Sequence, residues 1–75
     1  MNRYKDIDGD SGITAYEVGT DFLRVEFDNK AIYRWTYASA GPQHVEAMKI
    51  LTAHNDELNA YINRFVKKLY ARRER

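Results

Sequence analysis

The chain has 75 residues, a length that makes one domain, and folding at this size buries only about 60% of the surface that the unfolded chain exposes. It contains no cysteine, which excludes a disulfide framework and a cysteine-rich zinc site and gives no sign of an oxidising compartment. Its net charge of +1 favours no class of partner, and because it shows neither a signal peptide nor a long apolar run, we expect a cytoplasmic protein.

An acidic lead, residues 1–11, opens the chain and resembles the start of a calcium-binding loop. Four carboxylates match ligand positions of the pattern D-x-[DN]-x-[DN]-G-x5-E: Asp6, Asp8, Asp10 and Glu17. Ser11 stands where that loop needs a glycine for its sharp turn, and an EF-hand requires a helix where the sequence indicates a strand. We therefore favour a mobile lead that turns at Gly12 into the first strand, and we keep a calcium site as the weaker alternative.

Three short segments rich in β-branched and aromatic residues predict strands joined by tight turns: residues 13–18, 22–27 and 31–37. Apolar and polar residues alternate in the second segment, as in an antiparallel strand that is buried on one face. One face of the third segment carries Ala31, Tyr33, Trp35 and Tyr37. These rings can either form the core or stack on nucleotides, and we favour the core because the chain has little else to bury.

Two helices are predicted after the strands. Residues 39–42 favour a helix start, because Pro42 at the first helical position loses no N–H that the helix needs. Over residues 58–69 the apolar side chains recur at the spacing of one helix face. The order β-β-β-α-α predicts an α+β fold, in which a three-stranded antiparallel meander is followed by a helical hairpin packed on one sheet face. We expect a single domain over residues 1–75.

Other residue combinations give little support for catalysis or metal binding. His44 and His54 are ten residues apart, about 80° around a helix, and cannot form an i, i+4 metal pair. A pair of Ser39 and His44 has no third residue to orient the histidine. Free N–H groups near Gly41 could bind an anion, but a plain helix cap is the simpler interpretation. We therefore predict no enzymatic activity, no cofactor and no metal.

Basic residues are concentrated at the end of the chain, where six bases stand against one acid, Glu74. On a helical wheel Arg64, Lys67 and Lys68 lie within about 100° of one another, opposite the apolar stripe. With the second sheet face and a basic tail, residues 71–75, they define a predicted nucleic-acid-binding set: Arg24, Arg34, Arg64, Lys67, Lys68, Arg72 and Arg73. Alternatively, this helix face is solvated, or the tail neutralises carboxylates of its own domain.

Four stretches carry a family resemblance: YRWTY (33–37), SAG (39–41), a helix with Glu46 and Met48, and LNAYINRFVKKLY (58–70). Together they resemble the KTSC domain, named for the C-terminus of lysyl-tRNA synthetases. GDSGI and AYE, within residues 9–17, are similar to the opening of stand-alone bacterial members, so the resemblance covers about residues 9–70. It implies a small α+β domain of unknown function, for which RNA binding has been suggested, with no catalytic residues.

Two functions follow as hypotheses. The first is a non-enzymatic module whose basic helix and tail bind RNA or another polyanion, with the terminal bases aligned on a rigid helix. The second is a protein-interaction module or a homodimer that uses the second sheet face or an edge strand. In either case we expect no membrane partner, because the apolar stripe of the second helix is committed to the sheet.

Overall fold

One layer of the protein is an antiparallel sheet of five strands, formed within the residues that a computed structural model describes, 2–4, 12–53 and 57–74. The strands follow the chain order across the sheet: β1 Asn2–Arg3, β2 Ile13–Val18, β3 Phe22–Phe27, β4 Ile32–Thr36 and β5 Arg72–Arg73. The α+β class is confirmed, and the predicted meander forms β2 to β4. The sheet is wider than predicted, because a short strand from each end of the described chain joins it.

Tight turns join the central strands, as the sequence predicts. Between β2 and β3 the amide of Gly19 donates to the carbonyl oxygen of Phe22 over 2.9 Å. Between β3 and β4 the amide of Phe27 donates to the carbonyl oxygen of Ala31 over 2.9 Å, and Lys30 has a left-handed φ of 73°. A three-residue loop that ends in a left-handed residue is a common connection of a β-hairpin. Both turns are therefore set by local backbone bonds.

Among the described residues, four helical segments follow β4: α1 Tyr37–Ala40, α2 Pro42–Leu51, α3 Leu58–Tyr61 and a π-helical segment Ile62–Val66. The π-helical segment continues α3, and we call the two together the C-terminal helix. Pro42 is the first residue of α2, as predicted. The predicted third strand ends one residue early, because Thr36 caps α1 through reciprocal hydrogen bonds with Ser39. Within these ranges, none of the helices is long and apolar enough to cross a membrane.

The second predicted helix, residues 58–69, is shorter than its apolar spacing indicates. It ends at Val66, and its last five residues are π-helical. Leu58, Ile62 and Val66 are buried, but Leu69, which was predicted to continue the stripe, is 39% exposed. The predicted hairpin of two regular helices is therefore not matched.

After the C-terminal helix, residues 71–74 of the predicted basic tail return to the sheet. The amide of Ala71 donates to the carbonyl oxygen of Arg34 over 2.6 Å, and the amide of Glu74 donates to that of Ile32 over 2.7 Å. These bonds satisfy backbone groups of β4 that an edge strand leaves open. Strand pairing thus replaces the helical continuation that the sequence predicts.

The helices cover one face of the sheet and enclose the core. Its fully buried side chains come from both layers: Leu23, Val25, Trp35, Val45, Met48, Leu58 and Val66. Trp35 is 1% exposed, which confirms that the aromatic face of β4 is the inner one. Tyr33 and Tyr37 are half-buried and pack against the margin of this core. Of the two interpretations of these rings, the core is correct for Trp35, whereas Tyr33 also borders the surface.

Part of the predicted acidic lead belongs to the sheet. Asn2 and Arg3 pair with β2, and Tyr4 follows them into the core. The amide of Tyr4 donates to the carbonyl oxygen of Thr14 over 3.0 Å. This part of the predicted lead is therefore a strand, and residues 5–11 lie outside the described residues.

Candidate functional site

An ion-pair network crosses the sheet face that lies opposite the helices. Glu74 accepts hydrogen bonds from Nε of Arg34 at 2.6 Å and from Nε of Arg24 at 2.8 Å. Arg24 also pairs with Glu17, its cross-strand neighbour. The guanidinium of Arg34 lies over the ring of Phe22, 4.5 Å from the centroid. Two arginines therefore join β2, β3, β4 and the segment after β5.

Burial and hydrogen bonding shift pKa values in this network. Burial raises the pKa of the Glu74 carboxyl, but hydrogen bonds from Arg34 and Arg24 and the charges of both outweigh it, so the pKa is lowered. The hydrogen bond to Glu17 is the main reason that the pKa of Arg24 is raised, and partial burial opposes it. The predicted site residues Arg24 and Arg34 are thus already paired with carboxylates of their own chain.

The structure distributes the other predicted bases over three places. These are Arg64 within the π-helical segment, Lys67 and Lys68 in the turn that follows, and Arg72 and Arg73 in β5. All five are exposed. Arg72 is the neighbour of Arg34 on the adjacent strand. Arg73 is the neighbour of Tyr33, and its guanidinium lies over the tyrosine ring, 5.7 Å from the centroid. The predicted alignment on one rigid helix is wrong, because the helix ends at Val66.

Lys67 and Lys68 line a cleft of about 450 Å³ between the β3–β4 turn and the end of the C-terminal helix. Its wall is aromatic and is formed by Phe27, Tyr33, Trp35 and Tyr70. Asp28 contributes a carboxylate from the β3–β4 turn, and Asn63 contributes an amide from the helix. The cleft thus combines apolar rings with charged groups of both signs.

Ring contacts hold the aromatic wall in place. Tyr33 lies at its centre, with its centroid 4.8 Å from that of Tyr70 and 5.7 Å from that of Phe27, both edge to face. Its ring also stacks on Trp35 at 6.0 Å. Edge-to-face and stacked contacts stabilise aromatic pairs beyond the area that they bury. Tyr70 is 40% exposed, so a ligand in the cleft can reach its ring.

Only part of this cleft is predicted from the sequence. The cleft brings together Lys67 and Lys68 of the predicted nucleic-acid-binding set, whereas Arg24, Arg34 and Arg64 of that set lie elsewhere. The tyrosine that completes the rim was not predicted as a site residue. A signal for it exists in the stretch KKLY, where Tyr70 follows two lysines, as in segments that combine phosphate and base contacts.

The structure describes one of the four predicted calcium ligands. Three of the predicted ligands lie outside the described residues: Asp6, Asp8 and Asp10. The fourth, Glu17, lies in β2, where its carboxylate pairs with Arg24. In the part of the chain that is described, no group of three or more His, Cys, Asp or Glu side chains is placed to hold a metal ion.

Ser39 and His44 each bind a different partner. Ser39 forms the capping pair with Thr36. Nδ1 of His44 lies 2.7 Å from the hydroxyl of Tyr61, at hydrogen-bond distance. His54 lies outside the described residues. The conceivable pair of serine and histidine is therefore not formed.

Comparisons with known proteins add no function to this geometry. No protein-family model, curated protein or solved structure matches the chain. The resemblance to the KTSC domain therefore stays a prediction, and the inference of function depends on the cleft and the charges around it.

Proposed function

We propose that this chain is a small, non-enzymatic, cytoplasmic module of KTSC type that binds single-stranded RNA, or a polyanion like it, in the aromatic cleft. One observation carries the proposal: Lys67 and Lys68 line the same cleft as Tyr33 and Tyr70. Ammonium groups attract phosphates, and exposed aromatic rings stack on bases. Both contacts are therefore open to one ligand that occupies the cleft.

Unpaired nucleotides fit the cleft better than a duplex does. Its volume of about 450 Å³ lies within the range of about 300–1,000 Å³ that is usual for small-molecule sites. Each base that stacks on an aromatic ring contributes about 1–3 kcal/mol, and Tyr70 offers such a ring at the rim. A duplex keeps its bases stacked inside the helix and cannot offer them to this ring.

The charges of the cleft favour one orientation of the ligand. Asp28 lies on the hairpin side, whereas Lys67 and Lys68 lie on the helix side. A phosphate is attracted to the lysines and repelled by the carboxylate. The carboxylate of Asp28 can accept hydrogen bonds from the amino groups of a base. The base therefore points towards the hairpin and the phosphate towards the lysines.

The outer sheet face offers a poorer site for the same ligand. A phosphate bound by Arg24 or Arg34 would have to displace Glu74 or approach its charge closely. Lys67 and Lys68, by contrast, form no ion pair within the described ranges. Phosphate binding at the cleft therefore breaks no existing ion pair of these lysines.

Fluorescence anisotropy with a labelled single-stranded oligouridylate tests the proposal. Replacing both lysines, Lys67→Ala with Lys68→Ala, removes two phosphate contacts and should flatten the log–log salt slope by about 1.4, at about 0.7 per contact. Tyr70→Ala should weaken binding roughly 5- to 150-fold, which corresponds to about 1–3 kcal/mol. Arg72→Ala removes an exposed base that lies beside Arg34 on the outer sheet face and does not line the cleft, so it should leave the affinity nearly unchanged.

Heparin, a polyanion without bases, separates charge attraction from stacking. Weaker RNA binding and unchanged heparin binding by Tyr70→Ala would support stacking on this ring. Equal losses in Arg72→Ala and in the double lysine variant would show general charge attraction and contradict the cleft. No RNA binding at about 50 mM salt, where phosphate contacts are strong, would remove the proposal.

A further inference from the structure

An apolar groove lies between α2 and the C-terminal helix, on a surface separate from the cleft. It has a volume of about 590 Å³ and shares no lining residue with the cleft. Its apolar lining consists of Ala47, Ile50, Leu51, Ala60, Tyr61 and Phe65. Ile50 is 64% exposed and Phe65 is 49% exposed, the highest values among the large apolar side chains of the described ranges. Exposed apolar surface rimmed by polar residues is typical of interaction sites.

The aromatic side of the groove is held in one arrangement. His44 lies 2.7 Å from the hydroxyl of Tyr61, and its ring stacks on that of Phe65 at a centroid distance of 6.0 Å. Tyr61 and Phe65 are themselves in contact, with centroids 4.8 Å apart. A partner that binds here therefore meets rings whose positions are already restricted, which lowers the entropy lost on binding.

Charges of opposite sign flank the groove along the C-terminal helix. Glu57 precedes the helix and Arg64 lies seven residues later in its π-helical segment, and both line the groove. Ala60, between them, has almost no side chain to keep another helix away. In the described part of the chain neither Glu57 nor Arg64 forms an ion pair. The guanidinium of Arg64 lies over the ring of Phe65, 5.5 Å from the centroid, and keeps its charge for a carboxylate of a partner.

We propose that a second copy of this chain covers the groove, with the two C-terminal helices antiparallel about a two-fold axis close to Ala60. Glu57 then faces Arg64 of the partner subunit, and symmetry forms the same pair a second time. Ile50 and Phe65 pack into the opposing groove. An acid and a base placed on either side of a small residue match their own copy in the antiparallel direction, which is why the occupant is the chain itself.

The interface of this dimer is of standard size at most. A standard interface takes about 800 Å² from each partner, which is about a sixth of the 4783 Å² surface of this chain. Two short helices supply no more than such an area. Area alone does not set affinity, but on each copy only Ile50 and Phe65 are large exposed apolar side chains in the groove, so we expect a weak dimer with a dissociation constant on the order of 10 µM.

Sedimentation equilibrium of the full chain, from about 1 µM to about 500 µM, measures the dimer. Glu57→Arg and Arg64→Glu each bring like charges together twice and should each raise the dissociation constant more than about tenfold. The double variant restores opposite charges and should return to within about threefold of the unchanged chain. Val18→Asp, at a residue that is 43% exposed and outside the groove, is the control and should have no effect.

Three results would overturn the dimer. These are a chain that stays monomeric over the whole range, a dimer that neither charge reversal weakens, and a double variant that does not recover. Circular dichroism of each variant shows whether it is folded. The double lysine variant of the RNA experiment should dimerise like the unchanged chain, so either proposal can fail without the other.

Discussion

The indole N–H of Trp35 donates a hydrogen bond of 2.8 Å to the carbonyl oxygen of Val66. Both residues are buried, and the bond joins the centre of the sheet to the last residue of the π-helical segment. The same carbonyl oxygen accepts the amide of Leu69 over 2.9 Å. The end of the helix is therefore fixed by a side chain of β4, and this bond positions the turn that carries Lys67 and Lys68.

Trp35→Phe tests how much the buried indole, including this bond, contributes to stability. The variant loses one buried hydrogen bond, about 1 kcal/mol, and part of a large buried ring, so we expect the free energy of unfolding to fall by about 2–4 kcal/mol. Urea denaturation followed by circular dichroism measures the change. Tyr70→Phe keeps an exposed ring and should change stability by less than about 0.5 kcal/mol. A loss in Trp35→Phe no larger than that of this control would contradict the role of the bond.

The free energy of unfolding should depend on pH through the carboxyl group of Glu74. Its pKa is lowered in the folded chain, so its stabilisation is present above the ordinary glutamate pKa of about 4.3 and is lost as the pH falls through the folded value. Glu74→Gln should therefore lower the free energy of unfolding by about 1–2 kcal/mol at pH 7, between the values for exposed and buried ion pairs. The difference from the unchanged chain should shrink below about pH 4.

Urea midpoints at several pH values measure this dependence. Asp21→Asn, at an exposed carboxylate of the β2–β3 turn, is a suitable control and should shift stability by less than about 0.5 kcal/mol. A constant difference between Glu74→Gln and the unchanged chain from pH 7 to about pH 3 would show that the carboxylate charge has no part in it.

Gly19 is required because the ring of Phe22 occupies the space of a side chain. A Cβ added at Gly19 would overlap that ring, and the ring cannot move without disturbing Arg34, which lies over it. We expect Gly19→Ala to lower the free energy of unfolding by about 1–3 kcal/mol. In the Phe22→Ala background the same change should cost less than about 0.5 kcal/mol, and a double-mutant cycle in urea measures the difference. Additive losses would rule out the overlap as the cause.

Lys30→Gly should stabilise the β3–β4 turn. Lys30 has a φ of 73°, a conformation that costs a non-glycine residue about 1–2 kcal/mol. Glycine removes this strain but adds freedom to the unfolded chain, so we expect a net gain of about 0.5–1 kcal/mol. Asn29→Gly, next to it, should instead destabilise, because the Asn29 side chain accepts the amide of Ala31 over 3.0 Å. Thermal unfolding of both variants measures this contrast, and two changes of the same sign would contradict it.

The central meander could be predicted because its signals are local. Alternation in residues 22–27 gives the buried face of β3, and the short polar segments on either side give its turns. Pro42 marks the start of α2 for an equally local reason. The edge strands carry no such signal. A strand of two residues is too short to show alternation. β5 forms because β4 offers an open edge and because Arg34 of β4 pairs with Glu74, which lies 40 residues later in the chain.

The basic residues of the candidate site could be predicted from the sequence, but their positions in the fold could not. The sequence shows that bases are concentrated near the end of the chain, and it leaves open whether the tail neutralises its own domain. In the structure the signs of the two partners are exchanged. The acid of the tail, Glu74, pairs with two arginines of the sheet. Helical spacing cannot show that the helix ends at Val66, because the bond that fixes this end comes from Trp35, 31 residues away.

The shortness of β1 and β5 has a consequence for a concentrated sample. A long exposed edge recruits further chains by strand addition and can grow into fibrils, and proteins prevent this with very short or charged borders. Both outer strands here are two residues long, and each contains arginine. An incoming strand at either edge would find too few backbone groups to pair with and an arginine that repels its own basic residues. The meander is therefore protected from polymerisation on both sides.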